Sequence, residues 1–212
     1  MAGDHDYIKE DSFYRTFRWA TNVTFFDTEE QHCVEIPEKN IFVYGLSFEH
    51  KEVRSPLYDE WKPVNKPGFH VLLAHGGDLS CCPMDFTGLA AAGFDYVALG
   101  HSHKPHTVCR DKIAYSGSLE PLDRNDLGKH GYIQGEYEDG NVKVRLVPCA
   151  NRSYQNLVLN VDRDTTQYKL EEMLSDKNGY ESFTPGKMEY MGGNVFCSTI
   201  LVMNPRCMLM SP

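Results

Sequence analysis

The 212-residue chain has no apolar run near the roughly 20 residues that a membrane-spanning helix needs. Its start, MAGDHDYIKEDS, lacks the basic-then-apolar order of a secretory signal. A soluble, cytoplasmic protein is therefore expected. No two of the seven cysteines form a CxxC pair, and Cys81 and Cys82 are adjacent. This disfavours both a disulfide framework and a structural zinc site built from cysteines, and reduced thiols are expected. Positive charge is scarce too: 21 Lys and Arg face 30 Asp and Glu, for a formal net charge of −9. That argues against a broad basic surface for passive nucleic-acid binding. A bound divalent cation would reverse the sign locally, so phosphate substrates stay open. There is no internal repeat and no low-complexity tract.

What the chain does have is enough apolar material for a core. Hydrophobic residues make up 41% and aromatics 12%, fitting one domain, or one domain with a small appendage. DSFYRTFRWA (11–20) reads as a short helix capped by Asp11 or Ser12. Strands are expected at 23–26, 33–36 and 41–48. Residues 51–68 carry three prolines and read as a long surface loop. The apolar run 71–74 has the pattern of a strand buried on both faces, 84–93 suits a helix ending at Gly93, and 96–99 is the next strand. This strand–helix–strand order points to a parallel α/β layer.

Beyond His106 the pattern changes to antiparallel strands. Residues 107–118 and 131–148 carry them, the second pair joined at Asp139–Gly140, a strong hairpin signal. A further strand follows at 154–162, then a helix over 165–179 with a Thr cap and a Gly stop. Five of the eight methionines fall within 188–212, a stretch without helix or strand period. The expected domains are residues 1–146, a segment over 147–183, and an irregular tail over 184–212.

Chemistry concentrates at strand ends. His75 closes one apolar strand, and His101 closes the next inside YVALGHSHKPH, with His103 two positions on. In open α/β sheets ligands collect at the carboxyl ends of parallel strands, so two neighbouring strands would deliver imidazoles to one edge. On an extended backbone His101 and His103 would face the same side, about 6.6 Å apart. They could then chelate one cation or share two. Gly76, Gly77 and Gly100 remove bulk where the chain must turn beside the site. His32, His50, His70 and His130 read instead as hydrogen-bonded turn residues, and His106, after Pro105, lies beyond the shared edge. The opening Gly3-Asp4-His5-Asp6 could add one oxygen ligand, from Asp4, and one unligated imidazole, His5, placed to protonate a leaving oxygen.

GDHD, LLAHGGD, YVALGHSHKP and YSGSLEP, in that order, resemble the later part of a calcineurin-like metallophosphoesterase, in the branch of SbcD-like DNA repair exonucleases. The resemblance covers roughly residues 2–135. It implies the second half of a metallophosphoesterase α/β sandwich, followed by antiparallel strands and, from Val147, a small α+β capping segment. It further implies hydrolysis of phosphodiesters, DNA foremost, with water activated by two divalent ions. Mn²⁺ is the expected metal, with Fe or Zn as alternatives. Carried over, Asp4 stands where the family has an Asn ligand, His5 matches the unligated catalytic histidine, His75 and His101 match ligands of one metal, and His103 matches a ligand of the other.

The family's D-x-H and G-D motifs would lie before Gly3, so the resemblance implies a chain that begins inside its domain. Single, weak metal binding, low activity and self-association through exposed strands are then expected. A coiled-coil ATPase is the partner that such exonucleases imply. The rival readings are a phosphatase or small-molecule phosphodiesterase of the same fold, and a non-catalytic fragment acting as a binding module.

Overall fold

The computed structural model describes residues 1–160, 164–176, 183–184, 188–191 and 194–203. The chain divides into two compact units. One comprises Met1–Gly117 with Ile133–Leu146, and the other Ser118–Tyr132 with the described residues from Val147 on. The division groups Ser118–Tyr132 with the later residues rather than with the first 146.

The first unit is built on a six-stranded mixed sheet, and the α/β class expected from the sequence is what the fold shows. Its strands are β1 (His32–Ile36), β2 (Ile41–Gly45), β3 (Phe69–His75), β4 (Tyr96–Gly100), β5 (His106–Cys109) and β6 (Ile113–Tyr115). The order across the sheet is β1-β2-β3-β4-β6-β5. Strands β2, β3, β4 and β6 run parallel, while β1 and β5 are antiparallel edges. The parallel β3–β4 pair is linked through α2 (Phe86–Ala91). Asp85 caps that helix by accepting the Thr87 N–H at 3.0 Å, which satisfies one of the amides that a helix start leaves unpaired.

Several expectations are corrected here. Residues 11–20 hold only a single helical turn, α1 (Phe13–Thr16). Residues 23–26 are not a strand. Their aromatic rings pack instead, with Phe25 stacked on Tyr14 at 4.7 Å and on Trp19 at 5.6 Å. An aromatic pair satisfied by side-chain stacking mimics a strand in composition alone. The loop over 51–68 carries no regular element, yet Val53, Tyr58 and Trp61 from it are buried in the core. Strand β3 alternates rather than being sealed on both sides: His70, Leu72 and Ala74 are buried and the residues between them half-buried.

The core joins Phe42, Tyr44, Leu72, Leu89, Val97 and Ile113. Burying side chains of this size contributes about 1.5–3 kcal/mol each, enough to make the sheet a rigid platform. Strands β7 (Gly131–Glu138) and β8 (Asn141–Pro148) form the expected two-stranded hairpin. Its two turn residues, Asp139 and Gly140, have φ of 50° and 78°. Positive φ at both central residues is what a tight turn of matching twist requires.

In the second unit, β9 (Arg152–Asn160) pairs with β12 (Asn194–Met203), which also pairs with β10 (Phe183–Thr184) and β11 (Met188–Met191). The stretch read as an irregular tail therefore contains paired strands; its residues 204–212 lie outside those described. Helix α3 spans Gln167–Asp176, and Thr166 caps it by accepting the Lys169 N–H at 3.2 Å. The Gly179 stop also lies outside the described residues. No helix among the described residues is long and apolar enough to cross a membrane.

Candidate metal centre

Two parallel strand tips create the site. His75 is the last residue of β3 and stands in register with Gly100, the last of β4, so His101 follows directly at the same edge. The two imidazoles lie 5.4 Å apart, centroid to centroid, at 68°. Each is held from outside the strands. The His75 backbone N–H donates to the Tyr58 hydroxyl at 3.3 Å, and the Phe48 ring stands edge-on to the His75 ring at 5.5 Å.

The N-terminal loop supplies the carboxylate. The Ala2 N–H donates to Ser47 Oγ at 2.7 Å, and the Ala2 carbonyl accepts the Phe48 N–H at 3.1 Å. These bonds pin the loop beside the segment that follows β2. Asp4 Oδ1 then lies 2.8 Å from His75 Nε2 and 3.6 Å from His101 Nδ1. Gly3 makes this approach possible: a Cβ there would sit 2.3 Å from His75 Cε1. Only a residue without a side chain fits.

The loop after β3 completes the set. Cys81 is buried, and one ligand atom each from Asp4, His75, Cys81 and His101 lie within 4.8 Å of one another. Asp78 Oδ1 accepts from the Ser80 N–H, the Ser80 hydroxyl and the Cys81 N–H, while Oδ2 lies 3.0 Å from His101 Nε2. Gly76, at φ 112°, turns the chain so tightly that a Cβ would meet the Cys81 carbonyl at 2.6 Å. His101 itself has φ 96°. For a residue other than glycine, such a conformation costs on the order of 1–3 kcal/mol. The His101 ring lies between two carboxylates, with Nε2 3.0 Å from Asp78 Oδ2 and Nδ1 3.6 Å from Asp4 Oδ1.

The electrostatics favour ligand-competent forms of Asp4 and His75, while Cys81 is held as the thiol until a cation displaces its proton. Burial pushes the Asp4 carboxyl up, but the His75 hydrogen bond and the neighbouring imidazoles outweigh it and hold the carboxyl below its ordinary value. Burial drives the His75 imidazole below its ordinary value despite Asp4. An ionised carboxylate beside a neutral imidazole is the protonation state a cation needs. Asp78 is held down at about 2, first by the Ser80 hydroxyl and also by the Ser80 and Cys81 amides and His101. The Cys81 thiol is pushed up to about 12 by burial and then by Asp4, Cys82 and Asp78.

The donors fit a cation. Bonds of 2.0–2.3 Å in a tetrahedron place ligand atoms about 3.3–3.8 Å apart, and the two Asp4–imidazole distances, 2.8 and 3.6 Å, straddle the lower edge of that range. A metal would replace the proton between Asp4 and His75.

Of the residues singled out in the sequence, Asp4, His75 and His101 come together. His5 is exposed, its Nε2 3.8 Å from Asp4 Oδ2. His103 is half-buried and is not one of the four converging donors. The extended backbone assumed between residues 101 and 103 is absent, because β4 ends at Gly100 and His101 turns to positive φ. Cys81 and Asp78 were missed. The sequence raises the cysteines only as a disulfide framework or an all-cysteine zinc site, and Asp78 only as part of the LLAHGGD run.

The other histidines have separate settings. His70 bridges the Tyr44 hydroxyl and the Lys66 carbonyl, both at 2.9 Å. His130, buried, lies with Nε2 3.1 Å from the Asp126 carbonyl and Nδ1 3.0 Å from Ser118 Oγ. His106 stacks on Tyr115 at 4.4 Å, His50 faces Glu29 at 3.3 Å, and the His32 ring meets Phe26 at 6.0 Å.

Two imidazoles at a parallel-sheet edge, met by a carboxylate from the N-terminal loop, form a group that could hold a cation where α/β sheets collect their ligands. The chain is similar to an uncharacterized metallophosphoesterase, YhaO of Bacillus subtilis (strain 168), with 21% identity over 187 residues. The match covers 83% of this chain and 45% of that protein, so the chain spans less than half of that relative's length. No family model matches the chain. That relative is described as a metallophosphoesterase, and the four converging donors of this chain form a group that could hold a metal ion.

Proposed function

We propose that the Asp4–His75–His101 centre serves hydrolysis of a phosphodiester, with DNA as the substrate, in the manner of an SbcD-like exonuclease. The convergence of one Asp4 oxygen on His75 Nε2 and His101 Nδ1 carries this reading, since it joins the N-terminal loop to two strand tips. Asp4, His75 and His101 would hold a divalent ion, Mn²⁺ on the family resemblance, whose chemistry would be Lewis-acid polarisation of the phosphoryl group. The protein's residues do the rest. Asp4 and the two imidazoles fix the cation's position, the rigid sheet keeps that position constant, and exposed His5 gives its proton to the leaving oxygen. His103 would serve a second cation in the complete domain that the resemblance implies. A coiled-coil ATPase is the proposed partner, and the edge strands β1 and β5 offer a route to self-association.

The test is hydrolysis of single- and double-stranded DNA and of bis-p-nitrophenyl phosphate with Mn²⁺, before and after chelation. Cation-dependent cleavage of DNA is expected, with His5→Ala lowering kcat by about 10²-fold and leaving cation affinity unchanged. Cleavage of the small diester but not of DNA would favour the phosphatase or small-molecule phosphodiesterase reading, which the net charge of −9 makes the leading rival. A bound cation without hydrolysis of either substrate would favour a binding module.

A further inference from the structure

We infer that Cys81 is a fourth protein donor to the cation and tilts the centre toward a thiophilic ion, Zn²⁺ foremost, over Mn²⁺ and Mg²⁺. The inference rests on the metal centre proposed above and adds a residue that the family resemblance does not supply. Its first support is placement: the Cys81 sulfur is within 4.8 Å of the Asp4, His75 and His101 donor atoms. Its neighbour Cys82 is equally buried but is not part of that set. Burial alone therefore does not account for the position.

The second support is the loop that delivers it. The Gly77 N–H donates to the Cys81 and Cys82 carbonyls, both at 2.9 Å, and the Cys82 N–H donates to the Val53 carbonyl at 2.6 Å. Asp78 and Cys81 form an antiparallel bridge, reinforced by the Cys81 N–H on Asp78 Oδ1 at 2.9 Å. The same Asp78 reaches His101 Nε2 with its other oxygen. That contact fixes the ring so that Nδ1, the nitrogen nearer Asp4, is left for a cation, the usual division between a ligating nitrogen and its carboxylate partner. One short loop thus orients a histidine and presents a sulfur.

The third support is chemical. Two nitrogens, one oxygen and one sulfur are a donor set that suits Zn²⁺, which can take a water as a fifth ligand, whereas Mg²⁺ and Mn²⁺ favour six oxygen-rich positions. On binding, the Cys81 S–H bond breaks, its proton leaves to solvent, and a sulfur–cation bond forms with no change of oxidation state.

Cobalt substitution of the full 212-residue chain tests the inference. Co²⁺ should give visible d–d bands of tetrahedral intensity together with a near-ultraviolet thiolate-to-cobalt charge-transfer band. Cys81→Ser should abolish the charge-transfer band, keep d–d absorption, and weaken Zn²⁺ binding by more than about tenfold while leaving Mn²⁺ affinity nearly unchanged. Cys82→Ser should change none of these. Should Cys81→Ser not fold, X-ray absorption of the Zn²⁺-loaded wild type decides, with one sulfur expected at about 2.3 Å. Cobalt d–d bands without charge transfer, or zinc without sulfur, would overturn the role of Cys81 while leaving the metal centre intact. Failure to bind Co²⁺ or Zn²⁺ at all would overturn both.

Discussion

His75 and His101 reach the centre differently from Asp4, Asp78 and Cys81. The two histidines sit at the tips of adjacent parallel strands, where sheet register sets their separation. The other three ride on loops, and each is placed by individual hydrogen bonds and by glycines that clear its path. Strand-borne donors inherit the rigidity of the core, while loop-borne donors depend on a few local contacts that open at lower free energy. Substitutions at strand tips should therefore remove chemistry without loosening the fold, and those in the loops should disturb geometry first.

The sharpest form of this contrast is His101→Gly. The imidazole disappears, so cation affinity measured by calorimetry should fall by more than about 100-fold, beyond the usual cost of losing an outer partner. The φ of 96° is strained for histidine but open to glycine, so thermal stability without metal should not fall. A lowered Tm would mean that the ring is a packing element and the strand-tip picture is mistaken. Next in size is Gly3→Ala. Its methyl would displace the His75 ring, and cation affinity should drop about 10–100-fold with the ring's NMR signals shifted. Asp78→Asn is gentler and more selective. The amide oxygen can still accept from Ser80 and Cys81, but the amide nitrogen faces His101 Nε2 without an acceptor. Binding should weaken about tenfold with unchanged circular dichroism; a full loss would show that Asp78 holds the whole loop.

The same contrast explains what could be read from the sequence. An apolar run closed by a histidine is a local pattern, and the strand–helix–strand order makes two such runs neighbours. Residues 75 and 101 were thus legible, as were the parallel layer and the Asp139–Gly140 hairpin. Asp4 was legible only through the GDHD loop and its family likeness, because its approach depends on contacts with Ser47 and Phe48 that leave no periodic trace. Cys81 and Asp78 were not legible. Their meeting with the histidines requires a positive-φ turn and an isolated bridge, neither of which has a compositional signature. His103 shows the converse error, since period-two reasoning fails once the backbone leaves the extended region at residue 101. The strand expected at 23–26 failed because stacking with Tyr14 and Trp19 gives aromatic residues another way to bury their faces.

The smallest expected effect is a pH dependence that the two kinds of donor share. The folded state holds His75 below its ordinary value, so below about pH 6.5 the unfolded chain takes up a proton that the native ring refuses. Stability must then fall as pH drops through that region toward the folded value. Asp4 acts in the same direction at lower pH: its contribution is complete above about 3.9 and is lost as pH falls through its depressed folded value. Tm of the metal-free chain should decline gently from pH 7 to 5 and more steeply below 4. His75→Asn should flatten the upper part of the profile, because the strand-tip group then no longer titrates, and should also shrink the acid limb, because the imidazole that holds Asp4 down is gone. A Tm that rises as pH falls from 7 to 5 would mean that His75 is stabilised as a cation by Asp4, a state in which its nitrogen could not accept a metal.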